Sequence, residues 1–326
     1  MPIKRYNNNK TRKLKKNNKL SNKKKFQRGR GDMHSHKLKP RSIKLNKVNC
    51  SPKDKKEIKN YTCYTDKALF KLRERWNLRH PDVKILTNDP KEIHKLLANY
   101  LRNVCNKESC WLKQKEEFGQ LDENFKDSFA PESPSEWKKN PNEWLTSLDI
   151  MRVMNQYEKA YKCFDFIGPS PIDFDKKKLY GECVWEELCN FNLEDQIKKG
   201  KTKIGIIFNT DPHNKPGEHW ISMFINIKKA TIFFFDSVGN TAPIQIKKFV
   251  EKIKNQGKQL NRKINFKYDE NHPVEHQRGN TECGVYSIYF IVHMLEDKFV
   301  EEYLKKHILE DKYMEKFRNI YFNDKL

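Results

Sequence analysis

Between residues 204 and 237 lie three short segments, IGIIFNT (204–210), HWISMFINI (219–227) and ATIFFFDS (230–237), separated by loops that carry Pro, Gly, Asn or Lys. Runs this short, this rich in β-branched and aromatic side chains and so bounded by turn residues read as strands. Three strands so close together demand a sheet and something to cover it. Helical patterns supply the cover. PIQIKKFVEKIKNQ (243–256) follows the strands, a further strand reads at KINFKYD (263–269), and an apolar helix opens at Cys283 with Val285, Ile288, Tyr289, Val292 and Leu295 on its buried side. Upstream, LTSLDIMRVMNQYEKAYK (145–162) places Ile150, Val153, Met154 and Tyr157 on one face. Strands gathered together with helices on either side make an α+β domain.

Two more helices are read before that domain, at 66–79 and at 90–104, the second opened by Asp89 as cap and Pro90 as first helical residue. The Pro/Ser-rich stretch APESPSEWKKNPNEW (130–144) reads as a linker. The expected organisation is therefore a tail at 1–55, a helical extension at 56–135 and the α+β domain at 136–326. Charge separates the tail from the rest. The chain of 326 residues carries a formal +23, but residues 1–50 alone hold 18 Lys or Arg and one acid, Asp32. With almost no apolar side chains, that stretch cannot offset the entropy of ordering and reads as disordered. A polyanion suits it, so non-specific nucleic acid is the expected partner of residues 1–50.

No signal-peptide pattern or membrane-spanning run is read, and no membrane partner is expected. The eight cysteines form no repeated framework and are expected as reduced thiols. Cys105 with Cys110 and Cys183 with Cys189 lack the two-residue spacing of zinc knuckles, so neither a metal nor another cofactor is expected.

The chemistry concentrates at element ends. His219 begins a strand directly after KPGE, Asp236 closes the next strand, and Cys283 opens a helix behind Thr281 and Glu282, which read as cap and first-turn residues. A thiol at a helix N-terminus sits in the positive end of the macrodipole, an environment that favours the nucleophilic thiolate. Each residue alone has an ordinary explanation: a small buried thiol, a core or surface histidine, a turn aspartate. Together they supply a nucleophile, a base and a group to orient the base.

GEHWISMFINI, FFFDSVGN and HQRGNTECGVYSIYF resemble the three sequence blocks of the ubiquitin-like-protein (SUMO) protease and adenovirus-protease superfamily. The separations agree as well: 17 residues from His219 to Asp236, 47 from Asp236 to Cys283 and six from Gln277 to Cys283. Within that superfamily the chain looks like the polyprotein-processing proteases of African swine fever virus and giant DNA viruses, over roughly residues 140–300 and including FNTD (208–211). The resemblance implies a papain-like, adenain-like cysteine protease fold with a central mixed sheet flanked by helices. It implies Cys283 as nucleophile, His219 as base and later acid, Asp236 as the residue orienting His219, and Gln277 as oxyanion donor beside the Cys283 backbone N–H. Asn280 is a second candidate for that donor. Trp220 and Trp144 would roof a channel that admits Gly-Gly before the scissile bond, because glycine has no Cβ to strike the indoles. The SUMO proteases carry Trp-Leu-Asn-Asp where this chain has WLTSLDI, which separates Trp144 from the family pattern.

The expected activity is cleavage after Gly-Gly in viral structural polyproteins during particle maturation, in the virion and the host cytoplasm. The alternatives are an isopeptidase that releases SUMO or ubiquitin, and an inactive nucleic-acid-binding core protein that has kept the fold.

Overall fold

Side-chain caps open the first two helices, at Asp89 as the sequence reads and at Thr65 besides. The structure, a computed structural model, describes residues 45–53, 59–298 and 301–324. The basic tail through residue 44 lies outside the described residues. Thr65 accepts a hydrogen bond from the Ala68 N–H (3.1 Å) and starts α1 (Asp66–Arg79), which buries Leu69, Leu72 and Trp76. Asp89 accepts from the Lys91 N–H (3.0 Å) and starts α2 (Pro90–Tyr100). With the short α3 (Lys115–Phe118) these helices enclose a core that includes Tyr64, Trp111, Phe118 and Phe129. Glu108 is buried beneath it, accepting from the Thr62 hydroxyl (2.6 Å) and the Cys63 N–H (2.8 Å), so its carboxylate is satisfied locally.

Residues 45–53, inside the expected tail, lie against this extension and the C-terminus. Asn46 N–H donates to Asn106 O (2.7 Å), and Asn49 exchanges hydrogen bonds with Asn323. The expected linker is also structured. Its Trp137 donates from Nε1 to Glu143 O (3.0 Å) and meets the Phe322 ring edge-on at 5.2 Å. A stretch rich in Pro and Ser is here a strap fastened by its aromatic residue.

A capping box of Thr146 and Asp149 opens α4 (Ser147–Ala160). The chain continues through β1 (Phe164–Pro171), α5 (Glu186–Cys189), α6 (Leu193–Lys198), β2 (Lys203–Asn209), β3 (Trp220–Asn226), β4 (Thr231–Phe235), α7 (Ile244–Gln259), β5 (Lys267–Glu270), α8 (Cys283–Leu295), α9 (Glu301–Lys306) and α10 (Asp311–Tyr321). The five strands form one mixed sheet in the order β1-β2-β3-β4-β5, antiparallel in the middle and parallel at both edge pairings. β1 was not legible as a strand because its sequence, FDFIGPSP, ends in Gly and Pro. An edge position tolerates them, and the register with β2 shifts between Ile167 and Ser170.

Strand parity sorts the core. Ile204, Ile206, Phe208, Ile221, Met223, Ile225, Ile232 and Phe234 face one side, where α7 supplies Ile246, Phe249, Val250 and Ile253. Trp220, Phe224, Phe233 and Phe235 face the other, against α4, α8 and α10. α8 runs along that second face and is apolar nearly all round, which is the composition of a helix buried on every side. Among the described residues no helix is long and apolar enough to cross a membrane.

The expectation of reduced thiols is corrected for six cysteines. Cys50 is bonded to Cys63, Cys105 to Cys110 and Cys183 to Cys189, leaving Cys163 and Cys283 free. Local packing brings each pair together: the first joins the segment 45–53 to the start of the extension, and the other two join cysteines five and six positions apart.

Candidate active site

FNTD builds the approach to the site. Asn209 Oδ1 accepts from the Asp211 N–H (2.9 Å) and the Glu218 N–H (3.1 Å), and Asp211 Oδ2 accepts from the Gly217 N–H (3.1 Å). Gly217 has φ +101, a conformation side chains rarely adopt, and a Cβ there would come within 2.9 Å of Asn209 Nδ2. The clamp returns the chain so that Thr210 N–H donates to His219 O (2.9 Å), setting His219 at the mouth of β3.

From there His219 Nε2–H donates to Asp236 Oδ1 at 2.6 Å, the donor role following from a carboxylate that only accepts. Cys283 also acts on His219, favouring its charged form, and Nδ1 is the ring nitrogen that Asp236 leaves unused. Burial opposes charge on the imidazole, but hydrogen bonding and charge from Asp236 and Cys283 outweigh it and push His219 up to about 10. The charged form of the ring is thus favoured. Asp236 is itself held from behind: its N–H donates to Asn271 Oδ1 (2.9 Å), and Asn271 Nδ2 donates to Asp236 O (2.8 Å) and Val274 O (2.9 Å). Asn271 is completely buried, so this exchange is shielded from water.

Ser237, the next residue, orients Gln277. Its hydroxyl donates to Gln277 Oε1 (2.8 Å), and its carbonyl accepts the backbone N–H groups of His276 and Gln277, both at 2.8 Å. Gln277 Nε2 donates one of its two hydrogens to Gly279 O (2.9 Å). Asn280, the alternative oxyanion donor, is exposed.

Cys283 is buried at the first position of α8. Gly284 follows it because a Cβ would lie 3.0 Å from Leu145 Cβ and 3.3 Å from Trp220 Cδ1. The expected capping roles of Thr281 and Glu282 are corrected. Glu282 occupies the cap position without a capping hydrogen bond, because its carboxylate is taken by Arg318 of α10: Nε to Oε2 and Nη2 to Oε1, each 2.8 Å. Thr281 donates to Glu282 Oε1 (3.1 Å).

Both expected tryptophans border one groove of about 660 Å³, which also touches Asn209, Gly217, Pro169 and Trp185. Trp220 is nearly buried, its Nε1–H donating to Leu145 O (2.9 Å), whereas Trp144 stands 37% exposed at the rim. Cys283 and His219 do not line the groove, which reaches the candidate residues through Trp220, the neighbour of His219 in the chain. Among the described residues no three His, Cys, Asp or Glu side chains are grouped to hold a metal ion.

Residue patterns missed Asn271, Ser237 as orienter of Gln277, and the Glu282–Arg318 pair. Ser237 stood in the Asp-Ser block and was open to notice. Asn271 and Arg318 act on partners more than 30 residues away, and nothing local distinguished them.

The profile of the Ulp1 protease family, C-terminal catalytic domain, matches residues 151–326. A protein of Acanthamoeba polyphaga mimivirus whose name carries a thiol-protease assignment is 29% identical over 272 residues, covering 82% of this chain and 85% of its own. A cysteine protease of African swine fever virus is 26% identical over 230 residues, covering 64% of this chain and 81% of its own; a counterpart from another isolate is named a SUMO-1 cysteine protease and is 25% identical. The crystal structure of the African swine fever virus protease matches with a TM-score of 0.59 at 20% identity, covering 86% of this chain and 98% of that one. That coverage exceeds the span of the family profile, so the likeness of fold takes in residues of the extension.

Proposed function

Because the chain belongs to the Ulp1 protease family of cysteine proteases, we propose that it is an endopeptidase that cuts after Gly-Gly in viral structural polyproteins during particle maturation. The observation that carries the reading is His219 held at 2.6 Å from Asp236, with its charged form also favoured by the buried thiol that opens α8. Cys283 Sγ attacks the carbonyl carbon of the second glycine. The proton on His219 passes to the leaving amine, which departs, and the acyl group remains on sulfur as a thioester. Water, deprotonated by His219, then attacks the thioester and releases the carboxylate product and the thiol. The Gln277 amide and the Cys283 backbone N–H stabilise the oxyanion in both steps; one such donor is worth ~2.7–4 kcal/mol in the transition state.

Trp220 and Trp144 on one groove support a requirement for glycine, the residue without a Cβ to meet either indole. The same catalytic residues serve an isopeptidase acting on ubiquitin-like conjugates, a reading favoured by the SUMO-1 protease name of a relative. Residues 1–44 are proposed to bind nucleic acid through phosphates and to hold the enzyme near its substrates, in the virion and in the host cytoplasm.

Cleavage-site profiling decides among substrates: purified protein with Gly-Gly-Xaa peptides and with SUMO and ubiquitin conjugates beside them. The expected result is cleavage after the second glycine, loss of most turnover when either glycine becomes valine, and no product with Cys283→Ser. Efficient release of SUMO with unstructured peptides left intact would favour the isopeptidase. Cleavage by Cys283→Ser at the unmodified rate would remove the thiol from the mechanism.

A further inference from the structure

Arg318 lies 35 residues beyond Cys283, on the last helix, and is only 4% exposed. Its guanidinium spends its donors in two directions. One side forms the fork to Glu282, with Nη2 also donating to Thr281 O (2.9 Å), the two residues that lead into the nucleophile. The other side reaches the strap before Trp144: Nη1 donates to Glu143 O at 2.7 Å and lies 3.4 Å from Pro141 O, and Nη2 lies 3.4 Å from Asn142 O. The cation also sits over the Trp137 ring at 4.6 Å.

Stability does not explain such an arrangement well. A buried ion pair returns in attraction little more than it loses in desolvation, and a well-packed apolar pair of similar size often does as well. A planar, five-donor group is suited instead to holding separate backbone segments at a set distance. Here the segments are the last residues before Cys283 and the last residues before Trp144, so one side chain spans the nucleophile and the rim of the groove.

We propose that Arg318, with Glu282, is a positioning residue that sets Cys283 and the Trp144 rim in register with each other. The proposal rests on Cys283 being the nucleophile. Each half of the contact then has its own kinetic signature. Lysine keeps the charge for Glu282 but, with its three donors gathered on one nitrogen, cannot also hold the carbonyls of 141–143. Glu282→Gln combined with Arg318→Met removes the charges together and releases both segments without stranding a buried ion.

The experiment measures kcat and KM on a Gly-Gly-Xaa peptide per folded molecule, with the folded fraction taken from unfolding curves, for Arg318→Lys and for the double variant. Arg318→Lys is expected to raise KM about tenfold with kcat within a few-fold, as the loss of charge-assisted bonds to the rim predicts. The double variant is expected to lose roughly 10²-fold in kcat, the order that follows from an ångström of misplacement at a reacting group. Unchanged kcat and KM per folded molecule in both variants, whatever happens to their melting temperatures, would overturn the proposal and leave the pair purely structural. Cys283→Ser is run alongside. An active serine variant would remove the nucleophile assignment and the proposal with it, whereas an inactive one accompanied by unchanged Arg318 variants overturns the proposal alone.

Discussion

Asp236 and His219 form the pair on which pH should act most directly. In the unfolded chain a histidine titrates near 6.5, and in the fold His219 is raised to about 10 against the effect of burial, by Asp236 first and then Cys283. A raised pKa means that the folded state holds the proton more tightly. The stabilisation from His219 is therefore complete below about 6.5 and is lost as pH climbs through 10. Asp236→Asn removes the leading favourable cause, so in urea unfolding from pH 6 to 10.5 its loss of stability should begin at lower pH than in the unmodified protein. The alkaline limb of kcat should move down with it, as follows if the imidazolium protonates the leaving amine in the proposed mechanism. Identical pH profiles for the two proteins would contradict this. His219→Ala should be nearly as damaging to turnover as Cys283→Ser, since nucleophile and base act as a unit. Gln277→Ala should lower kcat by about 10²–10³-fold while leaving KM close to its original value, the pattern of a contact made in the transition state.

At the scale of elements, α8 and the FNTD loop carry the site for different reasons. The helix is located by burial: Phe290 packs on Phe233 and Phe235 of β4, with ring centroids 6.0 and 5.0 Å away. Phe290→Ala should cost about 3–5 kcal/mol in denaturant unfolding, the range for removing a large aromatic side chain from a closed core. The loop is located by hydrogen bonds and one special backbone conformation. Gly217→Ala combines a strained φ with a close approach to Asn209, and is expected to cost about 1–3 kcal/mol locally. Because the strain sits two residues before His219, cleavage should fall further than global stability does. A Gly217→Ala protein with full activity and an unchanged unfolding midpoint would show that the clamp does not position the histidine. α10 has a third role, bracing: besides Arg318, its Asp311 accepts the Arg278 and Gly279 N–H groups at 3.0 and 2.8 Å, next to Gln277.

For the whole molecule, positive charge is concentrated at the N-terminus. Residues 1–44 hold 17 Lys or Arg against Asp32 alone, whereas Asn46 and Asn49 are hydrogen-bonded to the folded chain. Deletion of residues 1–44 therefore removes most of the excess positive charge and keeps Asn46 and Asn49 with their hydrogen bonds. The truncated protein should lose most affinity for duplex DNA and cleave a short Gly-Gly peptide within a few-fold of the full-length rate. In the intact chain, binding should weaken steeply between about 50 and 200 mM salt, each neutralised phosphate adding about −0.9 to the slope of log K against log salt. Undiminished DNA binding after truncation would place the contact elsewhere. Much of this architecture was local information and so stood in the sequence. Short β-branched and aromatic runs between turn residues gave β2, β3 and β4, helical periodicity gave α1, the cap at Asp89 with Pro90 gave the start of α2, and the order of His219, Asp236 and Cys283 at element ends gave the candidate residues. What tertiary structure decided were the contacts between residues far apart in the chain: β1 accepted at an edge despite its prolines, a proline-rich strap pinned by Trp137, three cysteine pairs, Asn271 behind Asp236, and Arg318 behind Glu282. Such contacts leave no periodic trace because the partner's side chain, and not the residue's own neighbours, satisfies the buried polar group, and only the packed fold brings that partner within reach.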